Sequence, residues 1–280
     1  MQKSRTATRK VDPVSNVPSE LWKGTSLELL KELHILTRDG KLNQDSRRKL
    51  KQVYHLTQLI EPVLVRALER APDLRVCDLG AGKSYLGLIL YDLILRDRGH
   101  GCLVAVEARE ELVARVSEIA RTSGFERFES VGSQIEDFNP GEGPVWICAL
   151  HACDTATDDA ILLGLKAKAW GMALVPCCQA EVARLLEVLD SDGGLEVLWN
   201  YPVHRREFGS HLTNVIRVLA LQAAGYRVTV TELVGWEHSM KNELILAERI
   251  SDGYGPARDK LQALLERVPV RNKLLRGLGF

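Results

Sequence analysis

Residues 76–86 read Val-Cys-Asp-Leu-Gly-Ala-Gly-Lys-Ser-Tyr-Leu, an apolar run that ends in an acid and two spaced glycines. Glycines at such a place let the backbone turn sharply at the carboxyl end of a strand and approach a ligand closely. A helical pattern begins at Tyr85, and the first turn of a helix presents free N–H groups to the same ligand. The stretch therefore predicts a strand, a ligand-binding loop and a helix.

Short apolar runs alternate with helical patterns on the carboxyl side of this loop. The predicted strands are Leu74–Leu79, Cys102–Glu107, Arg127–Val131, Val145–Leu150, Met172–Val175, Tyr226–Leu233 and Glu243–Ala247. The predicted helices are Tyr85–Arg96, Glu110–Gly124, Thr155–Ala167 and Ser210–Ala224. Alternation of this kind predicts a parallel sheet covered on both faces. Residues 235–242 are too few for a crossover helix, so we expect the last two strands to be antiparallel.

The flanking segments divide the chain into three predicted regions. Residues 1–70 form a basic helical extension, in which 1–19 are polar and expected to be disordered. Within it, the sequence predicts one helix over Leu21–Leu36 and another over Asp45–Leu68, capped by Asp45 or Ser46. Residues 71–250 form the ligand-binding domain, with 179–209 as an insertion near its active site. Residues 251–280 form a basic helical tail.

Acidic residues at three successive strand ends point to the ligand. Asp78 precedes the glycine loop, Glu107 ends the second strand, and Glu136 and Asp137 follow the third. Dinucleotide-binding loops, which bind a pyrophosphate, carry a third glycine three residues after the second, whereas here the next glycine is Gly87. S-adenosylmethionine (SAM) has an ammonium for the acid and a carboxylate for the loop N–H groups. Its ribose hydroxyls suit Glu107. We therefore predict SAM, held by Asp78, Gly80, Gly82, Lys83, Tyr85, Glu107, Glu136, Asp137 and His151.

Two further motifs carry a resemblance to a known family. Leu150–Asp158 reads Leu-His-Ala-Cys-Asp-Thr-Ala-Thr-Asp, and Val175–Gln179 reads Val-Pro-Cys-Cys-Gln. With the glycine loop, they resemble the class I SAM-dependent methyltransferases that have Leu-His-x-Cys-Gly/Asp and Pro-Cys-Cys motifs. That family includes uncharacterised bacterial methyltransferases, the methyltransferase part of a glutathione-S-transferase-like eukaryotic protein and, more distantly, eukaryotic acceptor-stem tRNA 2′-O-methyltransferases. The resemblance covers about residues 41–249.

The resemblance implies a Rossmann-like α/β fold with seven strands, one of them antiparallel, and a SAM-dependent transferase. The chain departs from the family at two points. It has no Cys/His cluster with the spacing of the zinc fingers that the tRNA enzymes carry, and it has Asp154 where the family often has glycine.

Three chemistries remain open for the residues that follow the fourth and fifth strands. Oxygen methylation needs a base, which Asp154 or His151 would supply while Lys241 stabilises developing charge. Carbon methylation through a cysteine adduct would use Cys177. A zinc site from His151, Cys153, Cys177 and Cys178 has suitable ligand types. Adjacent cysteines rarely bind one ion without strain, so we expect no metal, and His151 is as readily explained as a hydrogen-bonded structural residue.

The net charge of the chain is zero and suggests no partner, but the basic residues are concentrated at its two ends. Lys and Arg equal Asp and Glu at 37 each, but residues 1–52 hold twelve cations and six acids. Residues 258–276 hold six cations and two acids. We predict that phosphates of tRNA or rRNA bind the helix Lys41–Lys51 and one helix over Lys260–Arg276, although solvated helix faces are often basic too. The alternatives are a methyltransferase for a small molecule or a protein, in which the N-terminal helices form a lid, and an interaction protein that keeps the SAM fold without catalysis.

The remaining features concern the compartment. No apolar run is long enough for a membrane span or the core of a signal peptide. Six cysteines in a chain of this size favour a reduced, cytoplasmic protein.

Overall fold

The computed structural model describes residues 21–22, 24–150, 152–176, 178–189, 194–233 and 243–280. The strands are β1 (Arg75–Leu79), β2 (Cys102–Glu107), β3 (Phe128–Gly132), β4 (Val145–Ala149), β5 (Gly171–Leu174), β6 (Tyr226–Glu232) and β7 (Glu243–Arg249). The helices are α1 (Leu27–Glu32), α2 (Gln44–Arg70), α3 (Tyr85–Leu90), α4 (Glu110–Thr122), α5 (Ala156–Lys166), α6 (Glu181–Glu187), α7 (Pro202–Ala223), α8 (Gly255–Arg267) and α9 (Lys273–Gly277). A π turn at Tyr91–Leu95 continues α3, and a 3₁₀ turn at Leu195–Leu198 precedes α7.

The seven strands form one sheet in the order β3-β2-β1-β4-β5-β7-β6. Strands β1 to β5 pair in parallel, whereas β7 is antiparallel to both β5 and β6. The order reverses beside β1, so the carboxyl ends of β1 and β4 border the crevice where open α/β sheets bind ligands. The Rossmann-like fold of class I methyltransferases, with one reversed strand, is confirmed.

Side chains of β4 alternate between two hydrophobic cores, one on each face of the sheet. Trp146 and Cys148 pack into the core beneath α1, α2 and α3, whereas Val145, Ile147 and Ala149 pack into the core beneath α5, α7 and α9. All five residues are buried. This is the pattern of a strand covered on both faces.

The N-terminal helices differ in part from the prediction. Instead of one helix over Leu21–Leu36, only α1 forms, because Ser26 caps it and His34 takes a left-handed backbone with φ of 54° after its last turn. Helix α2 confirms the second predicted helix. Its cap is Asn43, whose side chain accepts a hydrogen bond from the Ser46 amide at 2.7 Å, so the predicted caps Asp45 and Ser46 are wrong.

The segment 179–209, which the sequence predicts to be an insertion, contains α6 and the first two turns of α7. Pro202 begins α7, a position that suits proline because its missing N–H would be unbonded there. Gly209 lies inside the helix because a Cβ there would come within 2.8 Å of the Ala183 backbone in α6. Gly209, which directly precedes the predicted helix start at Ser210, is therefore required for the contact between α6 and α7.

The C-terminal residues are part of the fold. Two helices, α8 and α9, replace the predicted single helix over Lys260–Arg276, and Pro269 follows the end of α8. Val270, Leu274 and Leu275 are buried in the second core. None of the helices in the described ranges has the length and apolar character that crossing a bilayer requires.

Candidate functional site

The glycine loop lies at the carboxyl end of β1, as the sequence predicts. Gly80 and Gly82 have left-handed backbones with φ of 64° and 58°, and the Ala81 amide donates to the Val106 carbonyl at 2.9 Å. A Cβ on Gly80 would lie 3.5 Å from Ala152, in the loop that follows β4. The two loops are therefore in contact, and a ligand in the crevice would touch both.

Asp78 is buried directly beneath this loop. Its Oδ2 accepts a hydrogen bond from the Ser84 hydroxyl at 2.8 Å, at the start of α3. A Cβ on Gly87 would lie only 2.8 Å from the same oxygen, so glycine there lets α3 approach the carboxyl group. Burial raises the pKa of Asp78 to about 6, against the opposing effect of the hydrogen bonds from Ser84 and Gly87. The carboxyl shapes the loop and lies close to any cation bound there.

Glu107 at the end of β2 faces the loop from the other side. Its Oε2 accepts from the Gly82 amide at 2.8 Å, and its Oε1 accepts from the Arg109 amide and side chain at 3.1 and 2.7 Å. Burial raises the pKa of this carboxyl, but the hydrogen bonds from Arg109 and Gly82 outweigh burial and lower it. Glu107 is therefore an ionised hydrogen-bond acceptor, as ribose recognition requires. Lys83 is exposed and Tyr85 is half-buried beside it.

The acids that follow β3 border a cleft of about 590 Å³ between their own loop and α5. Glu136 and Asp137 are both exposed there. Lys273 of α9 reaches the same place, with its Nζ 3.4 Å from Glu136 and 2.6 Å from Asp159. The contact with α9 was not expected, because the sequence pattern placed the C-terminal segment in a tail.

Asp154 follows β4 and is held by three donors. The amides of Ala180 and Glu181 bind its Oδ1 at 2.8 and 3.3 Å, and Arg184 binds its Oδ2 at 3.1 Å. Burial raises the pKa of this carboxyl, but these donors outweigh burial and lower it. The geometry favours a structural role, in which Asp154 caps α6, over the predicted role as a base. Its φ of 52° also explains why glycine suits the position.

The other predicted catalytic residues, His151, Cys177 and Lys241, lie outside the described residues. Of the remaining thiols near the site, Cys153 is exposed and Cys178 is half-buried. Within the described ranges, no three His, Cys, Asp or Glu side chains come together as a metal site would require.

A buried polar network beneath the loops after β4 and β5 could not be seen in the sequence pattern. Arg217 of α7 donates to Asp158 at 2.7 Å, to the Asp154 carbonyl at 2.8 Å and to Asn214 at 3.2 Å. Gln179 donates to Asn214 at 3.3 Å and accepts from the Ser210 hydroxyl at 2.8 Å. The signal in the sequence is Arg217 itself, which stands alone in the apolar stretch 215–221. A charge on an apolar helix face needs a buried partner.

A cavity of about 230 Å³ lies between α2 and the loop end of the sheet. Leu150 and Val175, which follow β4 and β5, form its floor together with Tyr85 and Leu86 at the start of α3. Ile35, Lys49, Gln52, Val53 and Leu56 of the N-terminal region form the opposite wall. The cavity is therefore mostly apolar, with polar groups at Lys49, Gln52 and Tyr85, and it adjoins the glycine loop.

Residues 48–185 match the sequence family described as "Methyltransferase domain". A comparison with curated proteins gave no match. Similar solved structures include a magnesium protoporphyrin IX methyltransferase from Synechocystis PCC 6803 with bound SAH, at 14% identity over 79% of this chain and 94% of that one, with a TM-score of 0.46.

Two other structures show the same range of similarity. An rRNA methylase from Streptococcus thermophilus is 13% identical over 66% of this chain and 92% of that one, with a TM-score of 0.42. A SAM-dependent methyltransferase from Aquifex aeolicus is 18% identical over 68% and 89%, with a TM-score of 0.38. These scores are too low to carry an argument, and the fold rests on the strand order of the sheet. The family match and that sheet identify the chain as a SAM-dependent methyltransferase whose methyltransferase domain includes residues 48–185.

Proposed function

We propose that the protein transfers the methyl group of SAM to RNA, with the acceptor group seated in the cavity between α2 and the sheet. The size of the cavity carries the proposal. At about 230 Å³ it is smaller than the roughly 300–1,000 Å³ pockets that enclose drug-sized ligands, so it admits a single ring-sized group. A polymer that inserts one unstacked nucleotide fits such a cavity, and enzymes that modify nucleotides work in this way.

The cofactor residues follow from the loop geometry. Asp78, Gly80, Gly82, Lys83 and Tyr85 would surround the amino-acid half of SAM. Glu107 would accept the ribose hydroxyls, and Glu136, Asp137 and His151 would border the adenine. Bound SAM supplies an electrophilic methyl group on a sulfonium. The buried negative charge of Asp78 and the ionised Glu107 suit the cationic and hydroxyl groups of this ligand.

The charge around the cavity supports an RNA substrate. Residues 38–51, which lead into and begin α2, hold six Lys and Arg side chains and two acids. One of these cations, Lys49, also lines the cavity. Exposed cations beside a ring-sized cavity suit the phosphates that flank an inserted nucleotide.

Two of the C-terminal cations that the sequence predicts to bind phosphates are already paired with acids of the fold. Lys273 is bound by Asp159 and Glu136, and Arg276 by Glu181 at 2.8 Å. Lys41 and Lys49 are paired as well, with Asp39 and Asp45 at 2.9 Å, so we assign the phosphate contacts first to the exposed Arg48 and Lys51 of α2.

Three residues share the proposed catalytic roles. Because three donors hold Asp154, we assign His151 as the base that deprotonates the acceptor, with Lys241 stabilising developing charge and Cys177 as the alternative nucleophile. Turnover by His151→Asn, Lys241→Met and Cys177→Ser, measured with one acceptor, separates the three. A large loss confined to Cys177→Ser would favour the cysteine adduct.

Two experiments test the RNA substrate. Mass spectrometry of total RNA from cells with and without the protein should show one methylated nucleoside that disappears with the protein. In a binding titration, Arg48→Ala/Lys51→Ala should weaken RNA binding and reduce the slope of log affinity against log salt, by about one for each phosphate that the variant no longer neutralises. RNA binding that does not depend on salt would contradict the proposal.

The apolar walls of the same cavity favour a second candidate, a small ring-shaped metabolite with α2 as a lid. Labelled SAM and a metabolite extract treated with RNase distinguish the two. Methyl transfer that survives RNase favours the metabolite, and transfer that disappears favours RNA.

A further inference from the structure

The buried network on α7 ends on the loops of the site. Arg217, which is fully buried, binds the main-chain carbonyl of Asp154 as well as the Asp158 carboxylate. Gln179, in the loop after β5, is held at both ends of its amide by Ser210 and Asn214. One face of α7 therefore fixes the loops after β4 and β5 together.

The loop after β4 is fixed from its other side as well. The Thr157 hydroxyl donates to the Ala152 carbonyl, and the Asp154 amide donates to the Cys178 carbonyl at 2.8 Å. Ala152 in turn packs against Gly80 of the glycine loop. Hydrogen bonds thus connect Arg217 to the loop after β4, and a packing contact between Ala152 and Gly80 connects that loop to the cofactor loop.

Fold stability alone does not explain this arrangement. A buried ion pair is costly to desolvate and is often replaced by apolar residues without loss of stability. Here the helix already packs through Leu212 and Ile216 into the second core. What the arginine adds is a fixed main-chain position at Asp154, which has a left-handed backbone. Arg217 binds the carbonyl of this residue, the Cys178 carbonyl binds its amide, and the Ala180 amide binds its side chain.

We propose that Arg217 is a positioning residue of methyl transfer. It touches neither cofactor nor acceptor. It holds the loop after β4, and through Asn214 and Gln179 the loop after β5, at the separation that brings the acceptor to the methyl group. The proposal rests on the methyltransferase activity and is independent of whether RNA is the substrate.

Arg217→Lys tests the proposal because lysine keeps the charge beside Asp158 but cannot also reach Asn214 and the Asp154 carbonyl in the same planar geometry. We expect kcat with SAM and total RNA to fall roughly 100-fold, as a misplacement of about 1 Å would cause. The Kd for S-adenosylhomocysteine should change less than threefold. Arg66→Lys is the control for the chemical change, because Arg66 also binds a carboxylate, that of Glu248, at the opposite end of the sheet and outside the site. Arg66 is partly exposed, whereas Arg217 is buried.

Ser210→Ala is a second variant that removes a single hydroxyl and keeps the charge pair. It should lower kcat several-fold while the thermal midpoint falls by only a few degrees, since one buried acceptor loses its donor. Normal kcat in Arg217→Lys, or equal losses in Arg217→Lys and Arg66→Lys, would overturn the proposal.

Hydrogen exchange with S-adenosylhomocysteine bound gives a readout that needs no acceptor. Faster exchange confined to 152–156 and 178–182 supports positioning, whereas uniform acceleration overturns it. If wild-type protein methylates no RNA, only the substrate proposal fails.

Discussion

Asp78 combines full burial with a charge that the ligand is expected to need. Its pKa of about 6 lies above the ordinary value of 3.8, so the folded state binds the proton more tightly than the unfolded state. The stability that the protonated carboxyl gives is complete below about pH 3.8 and is lost as pH rises through 6. Near neutral pH the unliganded fold therefore contains an unfavourable charge, which a bound ammonium would offset.

Asp78→Asn should remove this pH dependence, because asparagine does not ionise. The shift of two pKa units corresponds to about 3 kcal/mol. Between pH 4 and pH 8, the free energy of unfolding of the wild type should therefore fall by about that amount more than the free energy of unfolding of the variant. Urea unfolding across this range measures the difference. Parallel curves for the two proteins would show that Asp78 does not titrate in this way.

Arg109 competes with the ligand for Glu107. A carboxylate has about four acceptor positions, and in this structure the Arg109 amide, the Arg109 side chain and the Gly82 amide use three of them. A ribose diol needs two, so the exposed Arg109 side chain must move away. Arg109→Ala should therefore bind S-adenosylhomocysteine up to about fivefold more tightly, since a surface ion pair contributes roughly 0–1 kcal/mol. Methionine, which lacks the ribose, is the control ligand in calorimetry. Weaker binding of S-adenosylhomocysteine would assign Arg109 to the binding site instead.

At the scale of elements, the contact between β5 and β4 depends on one glycine. A Cβ on Gly171 would lie 2.2 Å from the ring of Trp146, which is fully buried and has no room to shift. Gly171→Ala should lower the free energy of unfolding by roughly 1–3 kcal/mol, as overpacking does. Gly132→Ala at the end of β3 is the matched control, because no atom lies within 4 Å of its Cβ position and its stability should change little. Equal effects in thermal unfolding would refute the packing argument.

The elements could be predicted where a local pattern dominates. Strand β2 and helix α2 agree with the sequence because their apolar spacing alone specifies them. The start of α7 could not be predicted, since Gly209 opposes a helix locally and is required by Ala183, which is 26 residues away in the chain. The same limit applies to the site. The glycine loop and Glu107 are local signals, whereas the network of Arg217 depends on contacts between distant helices.

At the scale of the molecule, the C-terminal helices act as structure, and one pair of variants tests this. Lys273→Ala leaves Asp159, a mostly buried acid, without its lysine, so the free energy of unfolding should fall by roughly 1 kcal/mol while RNA affinity stays unchanged. Lys51 lies on the exposed face of α2, so Lys51→Ala should lower RNA affinity and leave the free energy of unfolding unchanged. Chemical unfolding and RNA titration of both variants check the expectation. A loss of RNA affinity in Lys273→Ala would restore a role for α9 in binding.

The π turn that extends α3 connects the cofactor loop to the N-terminal segment of the chain. Asp92 in that turn is buried. Its Oδ2 accepts a hydrogen bond at 2.8 Å from the amide of Ser26, the residue that caps α1. Arg96 at the end of the turn binds the Gly24 carbonyl at 2.7 Å. Helix α3 thus starts at the cofactor loop and anchors, at its other end, the segment that leads to the cavity wall. A small rotation of α3 as the loop closes on its ligand would be carried to that wall as a change in the width of the acceptor entrance.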